Sequence, residues 1–478
     1  MTEFRDQLYV GGEWRDASDG GRFDVLNPAD ETVLARVASG TVEDAAACVD
    51  AAAAAFDGWK SRAPRERGEI LRKAFDILSG RLDETARLIT LENGKARTDA
   101  AGEAKYAAEF FRWYAEEAVR SEGHAGRAPA GGARIVVHPK PVGVAALVTP
   151  WNFPAAMGTR KIAPALAAGC SVVVKPASET PLTMLALMPV LEEAGVPPGV
   201  VNVLPSRSSG EVVGAMLADP RARAVSFTGS TEVGRKLLRV AADNVVNPAM
   251  ELGGNAPFIV CRDADLDAAA DGLMIAKMRN QGEACTAANR IYVHEDVEEA
   301  FLERFVARMA ALRMGDGLEE GVDVGPLVNA ETRDKVDRFV RDAVEKGAEV
   351  RLGGERPNGP GFHYPPTVLA RVPDDADCLG DEIFGPVAAV QTFADEDEIV
   401  ARANDTRYGL VAYLYAGDMR RGLALSERLE FGMIGLNRGL VSDPAAPFGG
   451  VKQSGIGREG GKEGMREFQE IQYISTEW

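Results

Sequence analysis

Apolar residues recur along this chain with two different periods, and the change of period divides it. Over 41–120 the spacing is three to four residues. In RERGEILRKAFDILSGRL (65–82) it sets Ile70, Leu71, Ala74, Phe75 and Leu78 on one face, which predicts amphipathic helices. From 142 onward short apolar runs alternate with helical stretches. VGVAALV (142–148), SVVVK (171–175), VVNVL (200–204) and AVSFTG (224–229) read as strands. Helices are predicted between and after them over 180–194, 209–218 and 231–242. Near-continuous apolar strands alternating with helices predict a parallel sheet covered on both faces.

A second series begins near 252. APFIV (256–260) leads to a predicted helix over 265–279, then to the strand RIYVH (290–294). AEVRLGG, PVAAVQTF, VAYLYAG and GMIGLN extend the alternation, so a second α/β domain is expected. ARIVVHP (133–139) and EIQYIST (470–476) stand outside both series. Lone strands leave exposed edges, which invites pairing with a second subunit.

The chain has 478 residues, enough for two or three domains at roughly 100–200 residues each. A net charge of −18 opposes a nucleic-acid or anionic-membrane partner, because phosphate binding needs a basic footprint. The N-terminal stretch shows no basic segment followed by an apolar one, and no run of eighteen apolar residues occurs, so a cytoplasmic protein without a membrane span is expected. The five cysteines are scattered and never form CxxC, and the four histidines never form HxxxH or HExxH. Neither a disulfide framework nor a metal site is expected. With histidine so scarce, a carboxylate or a lysine is the expected general base.

Candidate chemistry gathers in a few places. Cys285 sits in NQGEACTAANR (280–290) among small and polar neighbours; buried spacer, metal ligand and nucleophile are all open for it on these residues alone. SFTGSTEVG carries Gly229 and Gly234 on a turn from strand to helix, where backbone N–H groups would meet a pyrophosphate or simply close a turn. It lacks GxGxxG, and no acidic residue follows at about 20 positions to read a ribose. Lys175 and Ser178 lie just past a strand's C-terminal end, where open α/β sheets bind ligands.

Taken together, PWNFP (150–154), MELGG (250–254), GEACTAANR (282–290), EIFGP (382–386), KPAS and FTGSTEVG resemble the aldehyde dehydrogenase superfamily, in the right order and over essentially the whole chain. The tail APFGGVKQSGIGREGG (446–461) is similar as well, and within the superfamily the succinate-semialdehyde subgroup is the most alike. The resemblance implies an aldehyde-dehydrogenase-like α/β fold. A Rossmann-like cofactor domain would span 1–120 and 141–251, an α/β catalytic domain 252–445, and a small β oligomerisation domain 121–140 and 462–478. It also implies a homodimer or homotetramer and NAD or NADP as cofactor.

The resemblance assigns Cys285 as nucleophile, Asn152 as oxyanion donor and Glu251 as the base that activates water. An aldehyde has no leaving group except hydride, so a thiolate must first make its carbon tetrahedral; the thioester that results is then readily hydrolysed. The two glycines after Glu251 are expected to let that carboxylate move. Relatives that pass the acyl group to coenzyme A usually lack this base, so water is the expected acceptor. The implied cofactor residues are Trp151, Lys175, Ser178, Gly229, Ser230, Gly234, Leu252, Glu382 and Phe384. Many NAD-preferring relatives have glutamate where Ser178 stands; a serine does not repel a 2′-phosphate, so NADP is expected to be tolerated. Glu179 beside it keeps NAD possible.

A distal carboxylate on the substrate would be held, as in the succinate-semialdehyde subgroup, by Arg160, Arg279 and Ser442. Three departures stand out. Glu283 replaces the usual glutamine and is expected to add negative charge near the site. Ala287 replaces a second cysteine found in some relatives. Arg438 replaces a small residue, either as a further cation for the substrate or as a solvated side chain. Small residues at 282, 284, 286 and 287 are expected to leave room beside the thiol. The expected activity is oxidation of succinate semialdehyde through a thiohemiacetal and a thioester. Glutarate semialdehyde or an aromatic or aliphatic aldehyde is the alternative substrate, and a non-catalytic nucleotide-binding relative or a cysteine thioesterase the alternative class.

Overall fold

The computed structural model describes residues 4–477; Met1–Glu3 and Trp478, the extreme ends of the expected cofactor and oligomerisation ranges, lie outside the described residues. The expected helices form as Val42–Lys60, Pro64–Ser79, Leu82–Asn93 and Arg97–Glu117. Local chemistry sets their ends. Thr41 and Asp44 cap the first reciprocally, and Pro64 opens the second, where its missing N–H costs nothing. Gly94, at φ +92°, closes the third.

Eight strands make the first sheet, in the order Gly455–Ile456, Asn247–Glu251, Ala222–Thr228, Val144–Val148, Ser171–Lys175, Val201–Val203, Leu8–Val10, Glu13–Arg15. The five central strands are parallel, and both edges are antiparallel. Side chains alternate between faces, and both faces are dry. Ala145, Leu147, Val172 and Val174 join one core with Leu71, Phe110, Leu166 and Met188. Val144, Ala146, Val148 and Val173 join the other with Ala52, Val212 and Leu237. The four N-terminal strands, including the pair Arg22–Leu26 and Val33–Ala38, go beyond the sequence reading. Leu8–Val10 and Glu13–Arg15 have three residues each, too few to display a period. Their signal is the turn Gly11-Gly12, with φ of +65° and +90°.

The second sheet has seven strands, ordered Glu349–Leu352, Thr367–Ala370, Val387–Phe393, Ala288–His294, Ala256–Val260, Val411–Tyr415, Met433–Leu436. All pairings are parallel except that of Glu349–Leu352. The two strands that fit neither series pair with each other, from Gln469↔Pro141 to Thr476↔Arg134, and His124–Arg127 completes a three-stranded antiparallel sheet. Among the described residues, no helix is long and apolar enough to cross a membrane.

Topology places the site. In the first sheet the chain runs outward from Val144–Val148 through Ser171–Lys175 to Val201–Val203. It then crosses back to Ala222–Thr228 on the other side of Val144–Val148. That reversal opens a crevice at the C-terminal ends of Val144–Val148 and Ala222–Thr228, where α/β sheets take ligands. The second sheet faces this crevice from the opposite direction. Leu252, Cys285 and Phe384 all stand just before its strands.

Candidate active site

Between the two sheets lies a cavity of about 210 Å³. The loop after Val144–Val148 supplies Trp151, Asn152 and Phe153. The turn after Ala222–Thr228 supplies Gly229 and Ser230, and the second sheet side brings Leu252, Ala284, Cys285, Thr286, Glu382 and Phe384. Arg160, Arg279, Ser442 and Phe448 line the remainder, with Tyr106 and Lys335. Of the expected residues, Glu251, Lys175, Ser178 and Gly234 stand outside this lining.

Asn152 is buried and held at both ends. Its side-chain Nδ2 donates to the Glu283 carbonyl (2.9 Å), which leaves the second amide hydrogen for the cavity. Cys285 is half-buried. Burial pushes its thiol up to about 12; Arg160 and Arg279 pull it down, while Glu382 and Glu251 push it further up. The resting thiol is therefore protonated at neutral pH, and the reactive thiolate grows about tenfold per pH unit below that value. Alkylation of the free protein by iodoacetamide should accelerate about tenfold per unit between pH 7 and 9. A rate flat across this range would show a thiol already ionised.

Glu251 ends the strand Asn247–Glu251 and is buried, with Oε2 unpartnered. Burial raises its carboxyl well above the ordinary range; Glu459 raises it further, against Arg160, Lys161 and Arg458. Burial alone would raise Glu459 too, but Lys161 and Arg160 outweigh it and hold that carboxyl low. Two neighbouring carboxyls are thus pushed apart, the pattern that separates a proton acceptor from a fixed anion. Lys161, whose ammonium binds Glu459 and also donates to Ser226 Oγ (2.8 Å), went unassigned in the sequence reading, as did Glu459. Their signal was present in GTRK and GIGREGG.

Packing explains the MELGG glycines differently from the sequence reading, which gave them freedom of movement. A Cβ on Gly254 would stand 2.4 Å from the Cys285 carbonyl oxygen, and one on Gly253 would stand 2.7 Å from Glu382 Oε2. They permit close approach of the strand to the cysteine loop and to Glu382. Glu382 accepts from the Gly254 N–H (2.9 Å), and burial raises its carboxyl to about 7. Phe384 stands edge-on to Trp151 at 5.5 Å, and both rings line the cavity.

The expected charge from Glu283 near the site is also corrected. Glu283 is fully buried behind the cysteine loop, accepting from the Val328 N–H (3.0 Å) and Gln281 Nε2 (3.1 Å), and burial raises its carboxyl to about 8. Ala284 and Thr286 do line the cavity, whereas Gly282 and Ala287 do not. Gly282 instead lies against the Gly385 carbonyl, 2.2 Å from where a Cβ would sit.

Arg160 forms a buried ion pair with Glu459 (2.7 Å) and lies 3.7 Å over the Phe448 ring, but its Nη2 has no partner. Arg279 meets Ser442 (Nη1 to Oγ, 3.4 Å) and lies over Phe153. Arg438 is exposed, folded back on the Leu440 carbonyl (2.8 Å), and does not reach the cavity.

The crevice suits a dinucleotide. Thr228 Oγ1 is buried without a partner at the strand's end, next to cavity-lining Gly229 and Ser230. Ser230 caps the thirteen-residue helix Thr231–Asp243, whose N-terminal N–H groups face an anion favourably. Gly234 lets that helix close on Leu252, 2.3 Å from a Cβ. Lys175 is buried at the end of the neighbouring strand. Burial lowers its ammonium to about 8, with Glu179 raising it and Arg207 lowering it. Ser178 lies beside it, 3.4 Å from Glu179.

The sequence profile of the aldehyde dehydrogenase family matches residues 14–474. A succinate-semialdehyde dehydrogenase of Paenarthrobacter nicotinovorans is 53% identical, covering 92% of this chain and 98% of its own. A glutarate-semialdehyde dehydrogenase of Pseudomonas aeruginosa is 46% identical, covering 98% and 97%. Among solved structures, a succinate-semialdehyde dehydrogenase from Burkholderia pseudomallei superposes with a TM-score of 0.98 at 45% identity, covering 100% of this chain and 99% of that one.

Proposed function

The chain belongs to the aldehyde dehydrogenase family, and from that premise we propose that its substrate is a short aldehyde with a distal carboxylate, succinate semialdehyde foremost. It is an oxidoreductase acting on aldehydes, with NAD or NADP as hydride acceptor. One observation carries the substrate reading: Arg279 and Ser442 meet within the same cavity as Cys285, setting a cation inside a protein of net charge −18. Arg160 adds its unpartnered Nη2 from the neighbouring wall.

Cys285 attacks the carbonyl carbon as thiolate and forms a thiohemiacetal. Asn152 Nδ2 and the Cys285 backbone N–H hold the oxyanion; losing one such donor costs on the order of 10²–10³ in rate. NAD or NADP held along the crevice would supply the acceptor for the hydride that leaves this carbon. Glu251 then removes a proton from water as it attacks the thioester, releasing the carboxylic acid and the Cys285 thiol. Gly229, Ser230 and Thr228 would hold the pyrophosphate, Glu382 a ribose, and Trp151, Leu252 and Phe384 the nicotinamide end. Lys175 and Ser178 would hold the adenosine ribose, and Gly234 allows the helix to close on Leu252. Neutral Ser178 beside charged Glu179 leaves both cofactors admissible. The first sheet with its helices serves as the cofactor domain (1–120 and 141–251) and the second as the catalytic domain (252–445).

The three-stranded sheet serves as the oligomerisation module (121–140 and 462–478). Its edge strand Gln469–Thr476 exposes Ile471 (69%), Tyr473 (58%) and Ile474 (43%), an apolar edge suited to a second copy in a dimer or tetramer. All five cysteines are free, as suits the reducing cytoplasm.

The test compares kcat/KM for succinate semialdehyde, glutarate semialdehyde, propanal and benzaldehyde with each cofactor. The semialdehydes should lead, and Arg279→Ala should cut their advantage over propanal about tenfold to hundredfold, the worth of charge-assisted hydrogen bonds. An unchanged ratio would remove the clamp. Glutarate semialdehyde outrunning succinate semialdehyde would assign the longer acid. Arg160→Ala is the less clean variant, because it also removes one of the two cations that hold buried Glu459.

A further inference from the structure

The loop that carries Asn152 is gripped from behind by groups the reaction scheme leaves unused. Lys95 is fully buried. Its ammonium binds Glu103 Oε2 (2.6 Å) and donates to the Asn152 carbonyl (2.6 Å). The other oxygen of Glu103 accepts from the Ala155 and Ala156 N–H groups (2.9 and 3.2 Å), fixing the start of the helix Ala156–Ala168 that follows the loop. From the opposite side, Asn280 Nδ2 donates to the Asn152 carbonyl (3.0 Å) and to the Glu283 carbonyl (2.8 Å). The Glu283 carbonyl is also the acceptor for Asn152 Nδ2. Reversing the Asn280 amide would turn its oxygen against two carbonyls, so its orientation is fixed.

Asn280 holds this place at a cost. Asn280 and Gln281 have φ of +55° and +42°, a left-handed pair without glycine. Such conformations cluster at functional sites and persist only where the surroundings enforce them. Here the Asn280 N–H is held by Asp99 Oδ2 (2.7 Å), and the reversal swings its amide between the oxyanion loop and the nucleophile loop. None of Lys95, Glu103 and Asn280 lines the cavity.

We propose that Lys95, Glu103 and Asn280 are positioning residues: they tie the Asn152 backbone to the Cys285 loop and so hold the Asn152 amide where the oxyanion forms. The proposal rests on the reading of Asn152 as oxyanion donor. It distinguishes two jobs within one loop, the side chain acting on the substrate and the carbonyl acting as its anchor.

A double-mutant cycle tests it, using the rate of the first hydride transfer in a single turnover. Asn280→Gly removes the amide and relieves the left-handed strain, so the fold is spared. Alone it should lower the hydride rate about tenfold to hundredfold, with the cofactor Kd and the thermal midpoint little changed. In an Asn152→Ala background the same change should cost less than about threefold, because residues acting through one group are not additive. An equal loss in both backgrounds, or no loss in the first, overturns the proposal. A second variant, Lys95→Met with Glu103→Gln, removes the buried charges together, avoids stranding either one and keeps the acceptor for Ala155. It should show the same dependence on Asn152, and additivity there would equally overturn the proposal. If Asn152→Ala itself leaves the hydride rate intact, the oxyanion reading fails instead, a result distinct from failure of the brace.

Discussion

Cys285→Ser should abolish turnover, by on the order of 10⁴ or more, while the protein still folds and still binds its cofactor. Serine is nearly isosteric, and the site tolerates its volume. The nearest packed backbone is Gly254, whose constraint falls on the Cys285 carbonyl and not on its side chain. What changes is the nucleophile. A hydroxyl needs a base hydrogen-bonded to it, and among the described residues no carboxylate or imidazole hydrogen-bonds the side chain at 285; Glu251 acts on water, and Glu382 is engaged by Gly254. A thiol raised to about 12 still supplies some thiolate at pH 8, whereas an unassisted serine supplies effectively no alkoxide. Stopped-flow measurement of reduced cofactor should therefore show neither burst nor steady state. Fluorescence titration should return a cofactor Kd near that of the native protein. Retained turnover above about one per cent would require another nucleophile. Cys48, Cys170, Cys261 and Cys378 are poor substitutes, all of them buried away from the cavity.

Much of this site was legible because chemistry fixes residue types at strand ends, where sequence pattern and topology coincide. Asn152, Gly229, Cys285 and Phe384 each follow or precede an apolar run that reads as a strand, and the fold brings those ends to one crevice. What was not legible depends on distance along the chain. Nothing local in GTRK or GREGG couples Glu459 to Lys161, 298 positions away, yet that pair decides which carboxyl stays charged. Glu283 misled for the opposite reason. Two residues from the nucleophile it looked like a site charge, but the loop turns its carboxyl away from the cavity, onto the Val328 N–H and Gln281 Nε2. Leu8–Val10 and Glu13–Arg15 were missed because three residues carry no period. The paired strands Arg134–Pro141 and Gln469–Thr476 were seen individually, but their register comes only from the fold.

Glu251→Gln should separate the two halves of the reaction: one equivalent of reduced cofactor per site in a burst, then a steady state lower by about 10²–10⁴. In the proposed scheme acylation needs Cys285 and Asn152, which the substitution leaves alone, whereas hydrolysis needs a base for water. The carboxyl is well suited to accept a proton near neutrality, since burial and Glu459 raise it, and its Oε2 is spoken for by no neighbour. The same shift predicts the effect on stability. A carboxyl whose folded-state affinity for protons exceeds its unfolded one lowers the stability of the fold as pH rises past the unfolded value, because the unfolded chain then releases a proton that the folded one keeps. Glutamine removes that titration, so the thermal midpoint at pH 8 should be equal or higher in the variant, and it should fall less between pH 5 and 8. A loss of turnover accompanied by a lower midpoint would point to damaged packing instead of a missing base. A burst with an unaltered steady state would move the base to Glu382, the carboxyl that lines the cavity and that burial holds at about 7.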